Sequence, residues 1–254
     1  MIARLLSLLP YFAGILFIHL YFRKKQKAFA EDIAWASLRT TIQLLLLAFA
    51  LEEVFKSKLI IVSLLITLFM TINSSAQIRS RSRVKILHLF WISLVSNILA
   101  IWPLAFLFSM DISDGKWAEP QKLLPLMGML LGNTLSGVSI GLESFMLSFR
   151  ERQNEIVTLM ALGASNEEST QKYFNRALRA GISPQINSML SMGIISIPGM
   201  MAGQLISNSD PMDASIIQIK MMLAICIGTI LSITIALRFV RRGLFLPSGE
   251  LCLK

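Results

Sequence analysis

Two polar side chains lie four residues apart in the otherwise apolar stretch SLRTTIQLLLLAF. They are Arg39 and Gln43, and this spacing places both on one face of a helix. An arginine in mid-membrane costs about 2.5 to 3.5 kcal/mol, which favours a position facing a bundle interior or a water-lined path. Alternatively, the long Arg39 side chain reaches a membrane surface about 9 Å away. Both interpretations stay open, and Lys220 in the last apolar run has the same ambiguity.

A second unusual stretch, IPGMMAGQ, combines a proline, two glycines and two methionines within an apolar run. Gly199 and Gly203 are four residues apart, so they share a helix face where another backbone can approach closely. Pro198 removes a backbone hydrogen bond and favours a kink. Met200 and Met201 can repack against a moving neighbour. The stretch is either a static kinked packing interface or a hinge and seam beside a translocation path.

Possible ligands for a metal ion in the last three apolar runs are mainly thioethers. The methionines are Met127, Met129, Met189, Met192, Met200, Met201, Met212, Met221 and Met222. Thioethers suit soft cations such as Cu(I), whereas iron prefers oxygen, imidazole or thiolate donors, and methionine is also an ordinary gap filler. We therefore predict no metal site. Asn133, in GMLLGNTLSG, is interpreted as a group that hydrogen-bonds between helices rather than as a substrate ligand.

The elements that must position these residues are membrane-spanning helices. Of the 254 residues, 54% are hydrophobic and only 15% are charged, which no ordinary water-soluble domain matches. Seven apolar runs are long enough to cross a bilayer, at about 4–22, 34–51, 59–78, 86–109, 123–147, 184–206 and 214–238. Each must be helical, because lipid offers no partner for backbone polar groups. We predict an all-α polytopic membrane protein with a single permease domain over residues 1–254.

The distribution of lysine and arginine predicts the orientation of these helices. With the N-terminus outside and the C-terminus inside, 17 cations fall in inside segments and five in outside segments. This bias indicates a multi-pass protein of the inner or plasma membrane. The net charge of +9 then reflects basic loops facing anionic lipid, and no nucleic-acid partner is expected.

Motifs for catalysis are absent from the sequence, including a phosphate-binding loop, a nucleophile elbow, a zinc-protease helix and a CxxC pair. We therefore expect no enzymatic activity and no cofactor in this chain. If the protein moves a solute with ATP, the ATP and Mg²⁺ must be bound by a separate ATPase.

The longest inside segment, about 148–183 between the fifth and sixth runs, predicts a helical hairpin. An amphipathic helix ends at Gly163, and Ser165 with Glu168 forms a capping box that starts a second helix at about 166–180. This second helix is expected to end near Gly181 and Pro184. The hairpin is either an amphipathic element lying on the membrane surface or a coupling element. In the second case, its compact turn would seat in a groove of a cytosolic motor.

The sequence ALGAS after an amphipathic helix resembles the cytoplasmic loop of ABC transporter permeases. Other stretches resemble the bacterial Fet-type iron-export permeases and their plant aluminium-tolerance relatives. These are SLRTTIQLLLLAF (37–49), GMLLGNTLSGVSIGL (128–142), SIPGMMAGQLI (196–206) and DPMDASIIQIK (210–220). The resemblance covers most of the chain.

The resemblance implies a permease that works as a homodimer with two copies of a separate ABC ATPase. The turn at Leu162, Gly163, Ala164 and Ser165 would dock on that ATPase. The substrate would be a metal ion or related small solute moved by export, with iron the leading candidate. The alternatives are a secondary transporter or channel that works without ATP, and a membrane scaffold that transports nothing.

Overall fold

The computed structural model describes residues 7–57, 59–81, 88–112 and 118–245. In these ranges the regular secondary structure consists of α-helices, and no strand is present. The helices are α1 Leu9–Arg23, α2 Lys27–Ser57, α3 Ile60–Arg81, α4 Leu89–Ile112, α5 Pro120–Glu151, α6 Gln153–Ala161, α7 Asn166–Ser191, α8 Gly199–Ile206 and α9 Pro211–Gly243. The prediction of an all-α polytopic protein is confirmed.

Five of the described helices, α2, α3, α4, α5 and α9, are long and apolar enough to cross a membrane. They correspond to five of the seven predicted spans. The helix α1 is apolar but has only 15 residues, and the predicted first span at 4–22 begins outside the described residues.

The prediction of a continuous sixth span over 184–206 is wrong. The helix α7 runs through Pro184 to Ser191, and the chain then makes a tight turn before α8 begins. Gly193 adopts a φ of +80°, a conformation open mainly to glycine, and its N–H donates to the Ser196 carbonyl at 2.9 Å. Pro198 does not kink a helix, because it is the extended residue immediately before α8.

The second hairpin helix also extends further than the predicted 166–180. It continues past Gly181, which sequence alone suggested as a stop. A methyl group added to Gly181 would lie 2.6 Å from the Gly137 carbonyl oxygen on α5. Gly181 is therefore a point of close helix packing, and this explains why a glycine lies inside the helix.

The described chain forms two compact units, Met1–Lys58 and Leu59–Lys254. In the first, α1 packs against α2, and His19 Nδ1 lies 3.0 Å from the Ala30 carbonyl oxygen. In the second, α5 packs against α3, α4, α7 and α9. The prediction of a single permease domain over the whole chain stays a prediction.

Candidate functional site

The turn of the hairpin is built by local backbone chemistry. Gly163 adopts a φ of +96°, which reverses the chain at the end of α6. Its N–H donates to the Met160 carbonyl at 3.0 Å, and the Ala164 N–H donates to the Leu159 carbonyl at 3.0 Å. These bonds satisfy carbonyl groups at the end of α6, so the turn has one defined conformation. The predicted helix stop at Gly163 is confirmed.

A capping box starts the second helix of the hairpin directly after this turn. The Glu168 N–H donates to Ser165 Oγ at 3.2 Å, and the Ser165 N–H donates to Glu168 Oε2 at 2.8 Å. The Ser165 hydroxyl also donates to the same carboxylate at 2.7 Å. These bonds, with the hydroxyl contributing most, hold the pKa of Glu168 below its ordinary value of 4.5. The predicted capping box is confirmed.

We call the four residues of this turn, Leu162, Gly163, Ala164 and Ser165, the hairpin tip. Leu162, at the start of the tip, is 80% exposed. Six residues earlier, Ile156 is fully buried in a core shared with Phe149 of α5 and Leu237 of α9. The hairpin therefore presents an apolar side chain from an anchored base.

A surface ion pair further joins the two arms of the hairpin. Lys172 Nζ on α7 lies 3.3 Å from Glu155 Oε1 on α6. The pKa of Glu155 is lowered, first by the Tyr173 hydroxyl and then by the Lys172 ammonium. Because both charged groups of the pair are exposed, it contributes mainly to the relative position of the arms and little to stability.

The arginine Arg241, in the last turn of α9, joins the membrane bundle to the hairpin. It is 7% exposed and pairs with Glu167, and its Nη1 donates to Gln171 Oε1 at 3.2 Å. The guanidinium carbon also lies 5.1 Å from the centre of the Phe174 ring. A buried arginine with three partners fixes α7 to α9 at this level.

Sequence analysis did not single out Arg241, which it counted only among the basic inside residues. The spacing of its three partners in the sequence, however, was a signal that they share a helix face. Glu167, Gln171 and Phe174 follow one another at four- and three-residue spacing, which places an acid, an amide and an aromatic ring on one face of α7.

The structure places the other predicted site residues in different surroundings. Arg39 and Gln43 are exposed on α2, and within the described part of the first unit neither has a polar partner. Lys220 Nζ lies 2.5 Å from Asp111 Oδ2 at the end of α4, with both side chains about half exposed. Lys220 is therefore neutralised by an ion pair between two helices.

The predicted bond from Asn133 to another helix is not present in the described chain. Its amide donates to the Met129 carbonyl of its own helix at 2.8 Å. Asn133, Gly132 and Ser136 are all exposed on one side of α5, in a helix long enough to span a membrane. Polar groups are rare on lipid-facing surfaces and usually face a bundle interior or a water-filled cavity.

The IPGMMAGQ stretch consists of Ile197 and Pro198, which precede α8, and the first six residues of α8. A methyl group built on Gly199 or Gly203 would meet no atom within 4 Å, so no helix of the described chain packs at the predicted seam. Met200 and Gln204 instead line a cavity of about 270 Å³ between α4, α5, α8 and α9. Met201 is partly buried on the same short helix.

Among the described residues, no group of three or more His, Cys, Asp or Glu side chains could hold a metal ion. The absence of a metal site in the chain stays a prediction.

A buried polar network in the second unit was also missed by sequence analysis. Asn97 of α4 donates to Ser75 Oγ of α3 at 3.3 Å and accepts from Ser232 Oγ of α9 at 3.1 Å. All three residues are fully buried. Their wide separation along the chain hid the contact, although a lone asparagine in the apolar run WISLVSNILAIW was a signal.

Comparisons with known proteins agree with the architecture. Residues 6–245 match the uncharacterised protein family UPF0014. The UPF0014 membrane protein slr1647 of Synechocystis is 31% identical over 206 residues, which cover 79% of this chain and 78% of that protein. The probable iron export permease protein FetB of Escherichia coli is 27% identical over 213 residues, covering 82% and 78%.

A plant protein is similar over a shorter region. Protein ALUMINUM SENSITIVE 3 of Arabidopsis thaliana is 31% identical over 116 residues, which cover 45% of this chain and 42% of that protein. No solved structure matches the chain. The bacterial and plant relatives confirm the resemblance noted in the sequence. Since the family match covers nearly the whole chain and the described helices include five apolar spans, the chain belongs to the UPF0014 family and is a multi-pass membrane protein.

Proposed function

We propose that this chain is the membrane-spanning permease subunit of an ABC transporter. Two copies would associate with two copies of a separate ATPase, which binds ATP and Mg²⁺ and performs the hydrolysis. The observation on which the proposal rests is the hairpin tip, where Leu162 is 80% exposed beside a turn fixed by Gly163. An apolar side chain presented on a turn of defined backbone geometry would lose its contact with water in a groove of another protein, which favours docking.

Transmission of motion requires a stiff connection from this tip to the membrane helices. Two contacts of the described structure support such a connection. Ile156 is fully buried in the core at the base of α6, and Arg241 joins α7 to the end of α9. A displacement of the tip would therefore move α7 and α9 with it, because packed interiors respond as units.

A second copy of the chain would complete the translocation path. The exposed polar side of α5, with Gly132, Asn133 and Ser136, needs surroundings other than lipid. In the proposed homodimer this side of α5 faces the path between the two bundles. Arg39 and Gln43, in the first unit, stay candidates for positions that face a water-lined path.

The proposed substrate is a metal ion or a related small solute, moved out of the cell. The name of the Escherichia coli relative, probable iron export permease, supports iron as the leading candidate. Soft thioether side chains do not suit iron, so we propose that the ion crosses without a resident binding site made of methionines. Flux measurements in vesicles with a panel of metal ions test this assignment.

The docking role of the tip is tested by replacing Leu162 with Ser and measuring the affinity for a candidate ABC ATPase. Burying a leucine contributes about 1.5 kcal/mol or more, so we expect affinity to fall about tenfold or more. Leu190→Ser is the matched control, because Leu190 is 73% exposed at the opposite end of α7 and its replacement should leave binding unchanged. Equal affinities of the Leu162 variant and the wild type would disprove docking through the tip.

A further inference from the structure

A cavity of about 310 Å³ lies where the end of α9 meets the hairpin helix α7. Its walls are Glu167, Gln171 and Phe174 from α7, with Arg238, Arg241 and Arg242 from α9. Three arginines and one glutamate therefore line the same small space, which leaves an excess of two positive charges.

The three arginines differ in whether a carboxylate neutralises their charge. Arg241 is buried and uses Glu167 as its counter-ion. Arg238 and Arg242 are exposed, and no carboxylate pairs with either of them among the residues that the structure describes. Guanidinium groups present paired N–H donors that match the oxygen atoms of a phosphate group. The cavity thus offers the guanidinium groups of Arg238 and Arg242, which pair with no described carboxylate. Beside them lies Arg241, whose guanidinium is held by Glu167 and Gln171.

We propose that this cavity, which we call the arginine cavity, binds the headgroup phosphate of an anionic phospholipid. The surface leading to it favours a lipid over a soluble phosphate. Ile227 and Leu231 are 47% and 43% exposed, and they lie eleven and seven residues before Arg238, on the same face of α9. An acyl chain along this apolar stripe would place its headgroup at Arg238.

The position of the arginine cavity within the membrane also fits a headgroup. Arg238 and Arg242 end a long apolar helix, and the positive-inside rule places this end at the inner leaflet, where anionic lipids concentrate. The phosphate would compete with Glu167 for Arg241. This lipid site does not depend on the proposed transport function.

The test is native mass spectrometry of the full chain in detergent, with phosphatidylglycerol and phosphatidylcholine added in equal amounts. We expect phosphatidylglycerol to be retained in preference. Combined replacement R238Q and R242Q should weaken its binding about fivefold for each cation removed. Glu167→Gln should strengthen binding, because it removes the carboxylate that competes for Arg241; a generally damaged protein would not show this gain.

The matched control is R176Q, which removes an exposed arginine from α7 outside the arginine cavity. Its binding of phosphatidylglycerol should equal that of the wild type. The proposal would be overturned if R176Q lost as much phosphatidylglycerol binding as the R238Q and R242Q double variant. It would also be overturned if the wild type retained both lipids equally. Displacement of phosphatidylglycerol by millimolar inorganic phosphate would also overturn the lipid assignment, because the cavity would then take phosphate from solution.

Discussion

Single residues decide two features of the second unit, the hairpin tip and the packing of α7 on α5. The stop at Gly163 was predictable, because the amphipathic pattern before it and the capping box after it are local in sequence. Gly181 was misread as a stop, because its role depends on Gly137, 44 positions earlier in the chain. A sequence pattern shows that a glycine is present but does not show which backbone approaches it.

The close contact at Gly181 predicts that Gly181→Ala destabilises the protein by about 1 to 3 kcal/mol. The added methyl group would meet a backbone oxygen that cannot move without shifting α5. Thermal unfolding of the detergent-solubilised protein measures the effect. Gly132→Ala is the control, because open space surrounds that position on α5, and it should be neutral or slightly stabilising. Similar losses of stability in both variants would contradict the packing described here.

The lowered pKa of Glu168 predicts how the start of α7 responds to acid. The folded-state pKa lies below the unfolded value, so the stabilisation by the capping box is complete above the ordinary value of 4.5. It is lost as the pH falls through the folded-state pKa. Proteolysis within the hairpin, measured from about pH 6 down to about pH 3.5, should therefore accelerate at the acid end. In Glu168→Gln this acceleration should be smaller, although Glu155 still titrates in the same hairpin. An unchanged pH profile would show that Glu168 is not the group responsible.

At the scale of elements, hydropathy predicted where most helices cross the membrane but missed the interruption of the sixth span. The residues from 184 to 206 are apolar enough to suggest one helix, and hydropathy does not register a glycine with positive φ. The bend that was expected at Pro198 lies instead in the turn that contains Gly193. The helix that follows this turn is α8, which has no buried residue.

The weak packing of α8 predicts that it opens more readily than its neighbours. Its backbone amides should exchange with deuterium faster than those of the central part of α9, which contributes many buried residues to the core. Hydrogen exchange followed by mass spectrometry of the protein in lipid nanodiscs measures this difference. Equal protection of the two helices would rule out α8 as a mobile element.

From the polar network around Asn97 we predict that the free energy of unfolding falls when the three helices lose their shared hydrogen bonds. Asn97→Leu leaves the buried hydroxyls of Ser75 and Ser232 without this partner, which should cost about 0.6 to 2 kcal/mol. Asn73→Leu is the control, because Asn73 is exposed and donates only to a carbonyl of its own helix α3. Unfolding in mixed micelles compares the two, and an equal effect would show that the network has no special role.

At the scale of the whole molecule, the hairpin helices share a buried core with the apolar helices α5 and α9. The all-helical class could be predicted from the seven apolar runs, because every membrane-spanning backbone must satisfy its own hydrogen bonds. The contact of Arg241 with α7 could not be predicted, since it joins residues more than 60 positions apart. That contact connects the hairpin helix α7 to the end of α9 in the second unit.

The most direct test of the coupling role is a cross-link from the hairpin tip to the ATPase. Leu162→Cys is introduced into a chain whose native Cys226 and Cys252 are replaced by serine, and a thiol-to-amine cross-linker is added to the assembled complex. We predict a covalent product with the ATPase subunit from position 162 and none from Leu190→Cys in the same background. A complex that forms and hydrolyses ATP, yet gives no product at position 162, would contradict the account.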